Sequence, residues 1–168
     1  MTAAIRFKTH GGPEVLVLER IDLPQPLPGH IRVRHTAIGV NFIDVYHRTG
    51  LYPVPLPSGL GLEAAGIVEA IGPGVSNVRT GDRVAYASGP IGAYAEAANV
   101  PANRIVAMPE GIDDQIAASV LLKGMTAEYL LLRTFPVKRG DTILFHAAAG
   151  GVGQIACQWA KALGATVI

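Results

Sequence analysis

The sequence has little cysteine, few charges and no long hydrophobic run. Cys157 is the single cysteine among 168 residues, which excludes an internal disulfide and any metal site that needs several cysteines. Charged residues make up 16% of the chain and its lysines and arginines are scattered, so no nucleic-acid partner is predicted. No segment approaches the roughly 18 apolar residues of a membrane span, and the N-terminus lacks the apolar core of a secretory signal. We therefore expect a soluble, cytoplasmic protein without a membrane partner.

Hydrophobic residues, at 49% of the chain, are sufficient for a packed core. In the first hundred residues they form short segments separated by glycine and proline, a pattern typical of an irregular β-barrel or sandwich. A brief helix is predicted over 42–50, with Gly50 as its stop. Strands are predicted over 3–9, 15–20, 31–40, 64–72, 82–88 and 94–100.

The pattern changes near Gly111. Apolar residues recur at helical spacing over 113–135, with Asp113 or Asp114 as the N-cap, and we expect two helices that separate near Lys123–Gly124. The elements that follow are a buried parallel strand, a helix after a glycine turn and the start of another strand, predicted over 141–148, 152–163 and 165–168.

The glycine turn has the sequence Ala148-x-Gly150-x-x-Gly153, a variant of the G-x-G-x-x-G turn that binds the pyrophosphate of dinucleotides. Alanine suffices at the first position if its φ stays negative, Gly150 lets the backbone approach the pyrophosphate, and Gly153 lets the helix pack closely. The free N–H groups and the positive dipole end of the helix would hold the phosphates. The residue that selects NAD or NADP lies ~20 residues beyond such glycines. That position falls past Ile168, so the chain does not reveal its preference.

Several motifs together resemble the zinc-free quinone oxidoreductases, the zeta-crystallin-like branch of the medium-chain dehydrogenase/reductase superfamily. The resemblance implies an α/β protein, with a GroES-like β-rich catalytic domain over 1–122 and the first part of a Rossmann doubly wound parallel sheet over 123–168. It also implies a natural protein that continues past Ile168 to about twice this length and forms a homodimer. The motifs are HGGPEVL (10–16), IGVNFIDVYHRTGLYP (38–53), PSGLGLEAAGIV (57–68), GDRVAY (81–86) and FHAAAGGVG (145–153).

Three positions depart from the zinc-dependent members of that superfamily. Those members carry a cysteine where this chain has Asn41 and a histidine where it has Leu62, and their third ligand, a cysteine, falls near Leu122. Neither asparagine nor leucine is a usual zinc ligand, so no metal is expected. Quinone reduction is compatible with this, because the ring accepts a hydride and becomes aromatic without a Lewis acid that lowers the pKa of an alcohol.

The resemblance implies a catalytic pocket lined by Asn41, Tyr46 and Tyr52, with the Asn41 amide as a hydrogen-bond donor. The plainer alternatives are a turn asparagine that bonds its own backbone and tyrosines that cap the core. Asp44 is expected to be a helix-start carboxylate, with a hold on a neighbouring loop as the alternative. Glu63 is expected either to form a salt bridge inside the domain or to support the pocket from behind its lining residues. The residues that the resemblance assigns to the cofactor are Asn41, Lys123, Thr126, Ala149, Gly150, Gly151, Val152 and Gly153.

Lys123 and Thr126 are expected to begin the helix that leads into the Rossmann domain. In the family this region faces the cofactor, which makes Thr126 a candidate partner of the nicotinamide ribose or amide. The alternatives are a solvent-exposed lysine and an ordinary helix-start threonine.

The resemblance thus favours an NADPH-dependent quinone reductase that transfers a hydride from the nicotinamide to a quinone without zinc. NADPH is an expectation from the family. A reductase of activated C=C bonds, such as those of enones, and a non-catalytic NADPH-binding protein remain as alternatives. The 168-residue chain alone is expected to bind the cofactor weakly and to have no activity.

Overall fold

The computed structural model describes all residues, 1–168, and the chain divides into two compact units, Met1–Ser119 and Val120–Ile168. The division falls inside a helix, α2, which spans Asp114–Glu128. We describe the units by themselves as unit 1 and unit 2.

Unit 1 is built from two antiparallel sheets. One has three strands in the order β2-β1-β4, and the other has five strands in the order β7-β3-β5-β6-β8. The strands are β1 Thr2–Phe7, β2 Val17–Ile21, β3 His30–Gly39, β4 Ser58–Gly59, β5 Glu63–Ile71, β6 Arg83–Tyr86, β7 Ala97–Pro101 and β8 Ile105–Ala107. The six predicted strands are confirmed to within a few residues. Two very short strands, β4 and β8, were not predicted.

The core of unit 1 lies on the five-stranded sheet, where alternate residues turn to one face. Its members are buried apolar side chains, and most of them come from four neighbouring strands. They include Ile31, Val33, Val68, Val84, Tyr86 and Val100. A short helix, α1, follows β3 and spans Phe42–Thr49, which confirms the predicted helix.

Helix α2 begins after Asp113, whose Oδ1 accepts a hydrogen bond of 2.7 Å from the backbone N–H of Ile116, as expected of an N-cap. The predicted break near Lys123–Gly124 is wrong, because the helix continues to Glu128. A glycine inside a helix costs only about 1 kcal/mol and removes no backbone hydrogen bond, so good helix formers on both sides carry the helix through it. A π-helical segment, Tyr129–Thr134, then ends before Pro136.

Unit 2 contains a parallel pair of short strands joined by a helix. Strand β9 (Thr142–Ile143) pairs in parallel with β10 (Thr166–Val167), and α3 (Gly151–Ala162) connects them. Gly164 follows α3 with φ +91°, as predicted for the residue after a helix end. The core of the unit is made of small and branched side chains of the helices and the loops around them, among them Ala127, Leu131, Val137, Ala156, Ala160 and Ala165. None of the three α-helices combines the length and apolarity that a membrane-spanning helix requires.

One buried tyrosine of unit 1 is paired with a histidine. The Nδ1 of His35 lies 2.7 Å from the carbonyl oxygen of Ala95, so this nitrogen carries the proton in the neutral ring. Nε2 therefore accepts the hydroxyl of Tyr86 at 2.9 Å. Burial lowers the pKa of His35, and the hydrogen bond to Ala95 opposes this only in part.

The neutral state of His35 makes the stability of unit 1 depend on pH. Because the folded pKa lies below the unfolded value of 6.5, the unfolded chain binds a proton first as the pH falls. The contribution of neutral His35 to the free energy of unfolding is complete above pH 6.5, and it is lost as the pH falls from there through the folded pKa. Urea unfolding between about pH 5 and pH 7 should show this loss as a slope of the free energy of unfolding against pH. His35→Gln should reduce that slope. His10→Gln, which removes an exposed histidine of the same unit, is the control. An unchanged slope in His35→Gln would contradict this assignment.

Candidate functional site

Helix α1 is positioned by a reciprocal cap at its first turn. Asn41 is the N-cap, with extended backbone at φ −132° and ψ 149°. The backbone N–H of Asp44 donates to the backbone carbonyl oxygen of Asn41 at 3.0 Å, and the Asp44 carboxylate accepts the backbone N–H of Asn41 at 2.9 Å. The helix ends at Gly50, whose φ of +83° suits a residue without a side chain. The short helix is thus fixed at both ends by local sequence.

Asp44 also ties α1 to a distant loop of unit 1. It is 3% exposed, and its Oδ2 accepts the hydroxyl of Tyr94 at 2.9 Å as well as the N–H of Asn41. The other oxygen, Oδ1, is buried without a partner. Burial raises the pKa of Asp44, while the hydrogen bonds from Asn41 and Tyr94 and the nearby His47 oppose the rise. Asp44 is therefore the expected helix-start carboxylate and an anchor for the loop that contains Tyr94.

The side-chain amide of Asn41 is held by Glu63. Asn41 is 8% exposed and Glu63 is fully buried. The amide nitrogen Nδ2 of Asn41 donates to Oε2 of Glu63 at 2.8 Å. Asn41 therefore bonds beyond its own turn, unlike the plain turn asparagine considered above.

An aromatic surface lies on the same helix and the turn after it. The rings of Tyr46 and Tyr52 have centroids 5.1 Å apart, and Phe42 meets Tyr46 edge-on at 5.2 Å. Phe42 is 71% exposed and Tyr52 49% exposed, so their rings are open to a ligand. The structure thus places Asn41 at the start of this helix, Tyr46 within it and Tyr52 in the turn after it. Phe42 was missed by sequence reasoning, although its spacing of four residues from Tyr46 on a helix was a usable signal.

The described chain, residues 1–168, contains no group of three or more His, Cys, Asp or Glu side chains placed to hold a metal ion. In unit 1 the polar atoms around Asn41 are instead bonded to one another, through Glu63, Asp44 and Tyr94.

The glycine turn of unit 2 leads from β9 into the N-terminus of α3. Gly150 is the N-cap, with φ −74° and ψ 166°, and no acidic residue occupies the first turn of the helix. The dipole of this 12-residue helix is therefore not compensated by a local carboxylate, which favours an anion at its N-terminus. Ala148 keeps a negative φ, as expected, whereas its neighbour Ala147 has φ +55°. The strain of the tight turn thus falls on Ala147.

The glycines of the turn have different structural requirements. A Cβ on Gly153 would lie 2.6 Å from Cα of Ala148, so the close approach of helix and turn requires glycine. A Cβ on Gly150 would meet nothing closer than 3.1 Å, the carbonyl oxygen of Ala147. A Cβ on Gly151 would lie 2.8 Å from Cδ of Lys123. Packing within the protein therefore explains why position 153 is a glycine, but it does not explain why position 150 is one.

Two further predicted cofactor residues lie on α2. The stem of Lys123 packs against Gly151, which brings two of the predicted cofactor residues together. The hydroxyl of Thr126 donates to the carbonyl oxygen of Leu122 at 2.8 Å, one turn earlier in the helix. Because α2 is continuous, Lys123 and Thr126 lie in its interior and not at a helix start. A contact of Thr126 with the nicotinamide ribose or amide stays a prediction.

Comparison with known proteins shows which family the chain resembles. Residues 27–110, half of the chain, match the alcohol dehydrogenase GroES-like domain. The chain is 56% identical over its full length to a quinone oxidoreductase of Pseudomonas aeruginosa and 48% identical to a 2-haloacrylate reductase of a Burkholderia species, and it covers 52% of each. It thus spans about half the length of the curated relatives it matches.

A solved structure agrees with the backbone as well. The crystal structure of Escherichia coli quinone oxidoreductase complexed with NADPH superposes with a TM-score of 0.96 at 52% identity. The match covers 98% of this chain and 51% of that one. The expected fold class, a GroES-like β-rich domain followed by the start of a Rossmann sheet, is confirmed.

Removing the hydroxyl of Tyr94 should destabilise unit 1. Tyr94→Phe keeps the ring but leaves the buried Asp44 carboxylate with one donor fewer, and hydrogen bonds to charged groups contribute about 1.5–3 kcal/mol. The free energy of unfolding in urea should fall by that order, whereas Tyr129→Phe, at an exposed position of unit 2, should change it little. Equal stability of Tyr94→Phe and the unaltered protein would show that the bond to Asp44 is dispensable.

Filling the space at Gly153 should destabilise unit 2. Gly153→Val forces a side chain into the backbone of Ala148, and overpacking of this kind costs about 1–3 kcal/mol or more. Gly124→Ala is the matched control, because a Cβ there meets nothing within 4 Å, and it should stabilise α2 by up to about 1 kcal/mol. Thermal unfolding of the two variants should therefore shift in opposite directions. A Gly153→Val protein with an unchanged midpoint would show that the helix does not need the close approach.

Proposed function

The chain belongs to the zinc-free quinone oxidoreductase branch of the medium-chain dehydrogenase/reductase superfamily, and we propose that the protein it forms is an NADPH-dependent quinone reductase. The observation that carries the proposal is the arrangement in unit 1, where the held amide of Asn41 lies at the start of the helix that carries Tyr46, whose ring pairs with that of Tyr52 in the turn after the helix. It occurs in a chain 56% identical to a quinone oxidoreductase. A homodimer in the cytoplasm is part of the same proposal.

In the proposed reaction, bound NADPH supplies a hydride, and the quinone takes up this hydride and one proton to become a hydroquinone. The flat rings of Tyr46 and Tyr52 offer a stacking surface for a planar quinone. The amide nitrogen of Asn41 has two hydrogens, and Glu63 accepts one of them. The second hydrogen is suited to donate to a carbonyl oxygen of the quinone or of the nicotinamide amide. The task of unit 1 is therefore to orient the reacting groups.

Unit 2 supplies the features that would hold the cofactor. In the segment Ala149 to Val152, at the N-terminus of α3, the N–H of Gly150 donates to the carbonyl oxygen of Ala147 at 2.8 Å and closes the turn. The other backbone N–H groups of this segment suit the pyrophosphate, with Gly150 leaving the space for it. Gly153 makes the close approach of the helix possible, and Lys123 lies beside Gly151 as a cation. The NADPH complex of the Escherichia coli relative supports the choice of cofactor.

A reductase of activated C=C bonds is the second candidate. The similarity to a 2-haloacrylate reductase, at 48% identity, favours it specifically. Such a reaction delivers the same hydride to the β-carbon of an unsaturated acid or ketone, and a proton to the α-carbon. An oriented amide donor to the carbonyl oxygen would serve that substrate equally.

The proposal is tested by oxidation of NADPH, and of NADH in parallel, by the full-length gene product with a quinone, an enone or 2-haloacrylate as acceptor. Turnover with the quinone is the expected result, and the ratio of the two cofactors gives the preference. Turnover restricted to the enone or haloacrylate would replace the first candidate by the second. Tight NADPH binding without turnover of any acceptor would show that the protein is a non-catalytic NADPH-binding protein.

Gly150→Val should abolish NADPH binding without unfolding the protein. The backbone at Gly150 is in the extended region that valine adopts freely, but the side chain would occupy the space of the pyrophosphate. NADPH fluorescence should show a loss of affinity of at least about tenfold, since one such contact is worth 1.4 kcal/mol or more. Gly29→Asn, a change in an exposed turn with nothing within 4 Å, is the control. If Gly150→Val bound NADPH with undiminished affinity, the pyrophosphate would not bind at this turn.

A further inference from the structure

We propose that Glu63 is a positioning residue for the proposed reaction, and that it acts by fixing the direction of the Asn41 amide. This inference rests on the proposed function, in which Asn41 contacts the reacting groups. Glu63 itself is fully buried and is assigned no contact with substrate or cofactor.

The sheet places the two residues side by side. Glu63 is the first residue of β5 and is paired across the ladder with Gly39, the last residue of β3. Asn41 follows Gly39 by two positions and begins α1. The antiparallel register therefore brings the Glu63 carboxylate to the Asn41 amide, where Nδ2 and Oε2 are 2.8 Å apart. A donor that faces an ionised carboxylate forms a stronger hydrogen bond than one that faces a neutral group.

The Glu63 side chain has little freedom to move. A Cβ on Gly39 would overlap the carboxylate of Glu63 and would lie 2.7 Å from its Cγ, so the side chain passes directly over the Gly39 backbone. The residues that follow Glu63 on β5, Ala64 and Ala65, are buried and apolar. A carboxylate in such surroundings has a cost of desolvation that packing alone does not require. Its presence points to a task that an apolar side chain cannot perform.

That task is to choose between the two orientations of an amide. The terminal amide of asparagine can rotate so that its oxygen and its nitrogen exchange places. In the observed orientation the amide nitrogen donates to Glu63. The exchanged orientation would set the amide oxygen against the carboxylate oxygen of Glu63, and the two oxygens repel each other. Glu63 thus fixes where the second Asn41 hydrogen points.

A double-mutant cycle in the full-length protein tests this inference. The variants are Glu63→Leu, which removes the acceptor, Asn41→Ser, which removes the amide but keeps an N-cap side chain, and the two combined. Each single change should lower kcat/KM for the quinone by about tenfold or more, because a small misplacement of a reacting contact has effects up to ~100-fold. If Glu63 acts through Asn41, the double variant should be no worse than the poorer single variant. A merely structural role predicts losses that multiply, and that result would overturn the inference.

Two further variants keep the test decisive. Glu63→Gln retains an oxygen that accepts from Asn41, so kcat/KM should stay within about threefold of the unaltered protein. This variant can be measured even if Glu63→Leu does not fold. A loss in Glu63→Gln as large as in Asn41→Ser would overturn the inference. Glu69→Leu is the control on the same strand, since Glu69 is half-exposed and its ion pair with Arg34, at 4.0 Å, is weak. It should leave kcat/KM unchanged.

Failure of this inference and failure of the proposed function give different results. If the unaltered protein reduces quinones and the losses multiply, the proposed function stands and Glu63 is not a positioning residue. If the unaltered protein reduces no quinone, the proposed function is wrong. The same cycle is then measured on the acceptor that is turned over, or on NADPH affinity, and absence of coupling there overturns the inference independently.

Discussion

The amide of Asn41 is held by side chains that water scarcely reaches, with Glu63 accepting from its nitrogen and Asp44 bonded to its backbone. Burying two carboxylates is unfavourable unless their oxygens are hydrogen-bonded, and this requirement determines the arrangement around them. Glycine at 39 makes space for Glu63, and Tyr94, from its own loop, donates to one of the two oxygens of Asp44. The same hydrogen bonds hold the first turn of helix α1 in place. They therefore also position the aromatic surface that this helix carries.

Unit 2 prepares its candidate site by a different physical means. No buried charged side chain is found around its glycine turn, and the shape comes from the backbone. Gly153 allows α3 to press against Ala148, and Ala147 accepts a φ of +55° so that the turn can close. The result is a helix N-terminus with free N–H groups and no neighbouring carboxylate. Such a surface suits a charged, flexible group such as a pyrophosphate, which needs many donors and little side-chain specificity.

The sequence predicted local features well and contacts over long distances poorly. Alternation of apolar residues found the longer strands, but β4 and β8, of two and three residues, are too short for such a pattern. The break predicted at Gly124 failed because packing and the neighbouring residues outweigh one unfavourable residue in a helix. The place of Asp44 at the start of α1 was predicted, since its bond to the backbone of Asn41 is local. The bonds of Asn41 with Glu63 and of Asp44 with Tyr94 join residues 22 and 50 positions apart, and only the tertiary fold brings them together.

Hydride transfer between two flat rings depends on alignment more than on bond polarisation, and this connects the buried network with the proposed chemistry. A donor that already points in one direction does not have to reorganise when negative charge develops on a carbonyl oxygen. A surface asparagine lacks that property, because its amide rotates and exchanges partners with water. In Asn41 the orientation of the amide is fixed by a buried carboxylate before any substrate binds. Burying Glu63 costs free energy, and the return is a fixed direction of the Asn41 amide at the start of the helix that carries the aromatic surface.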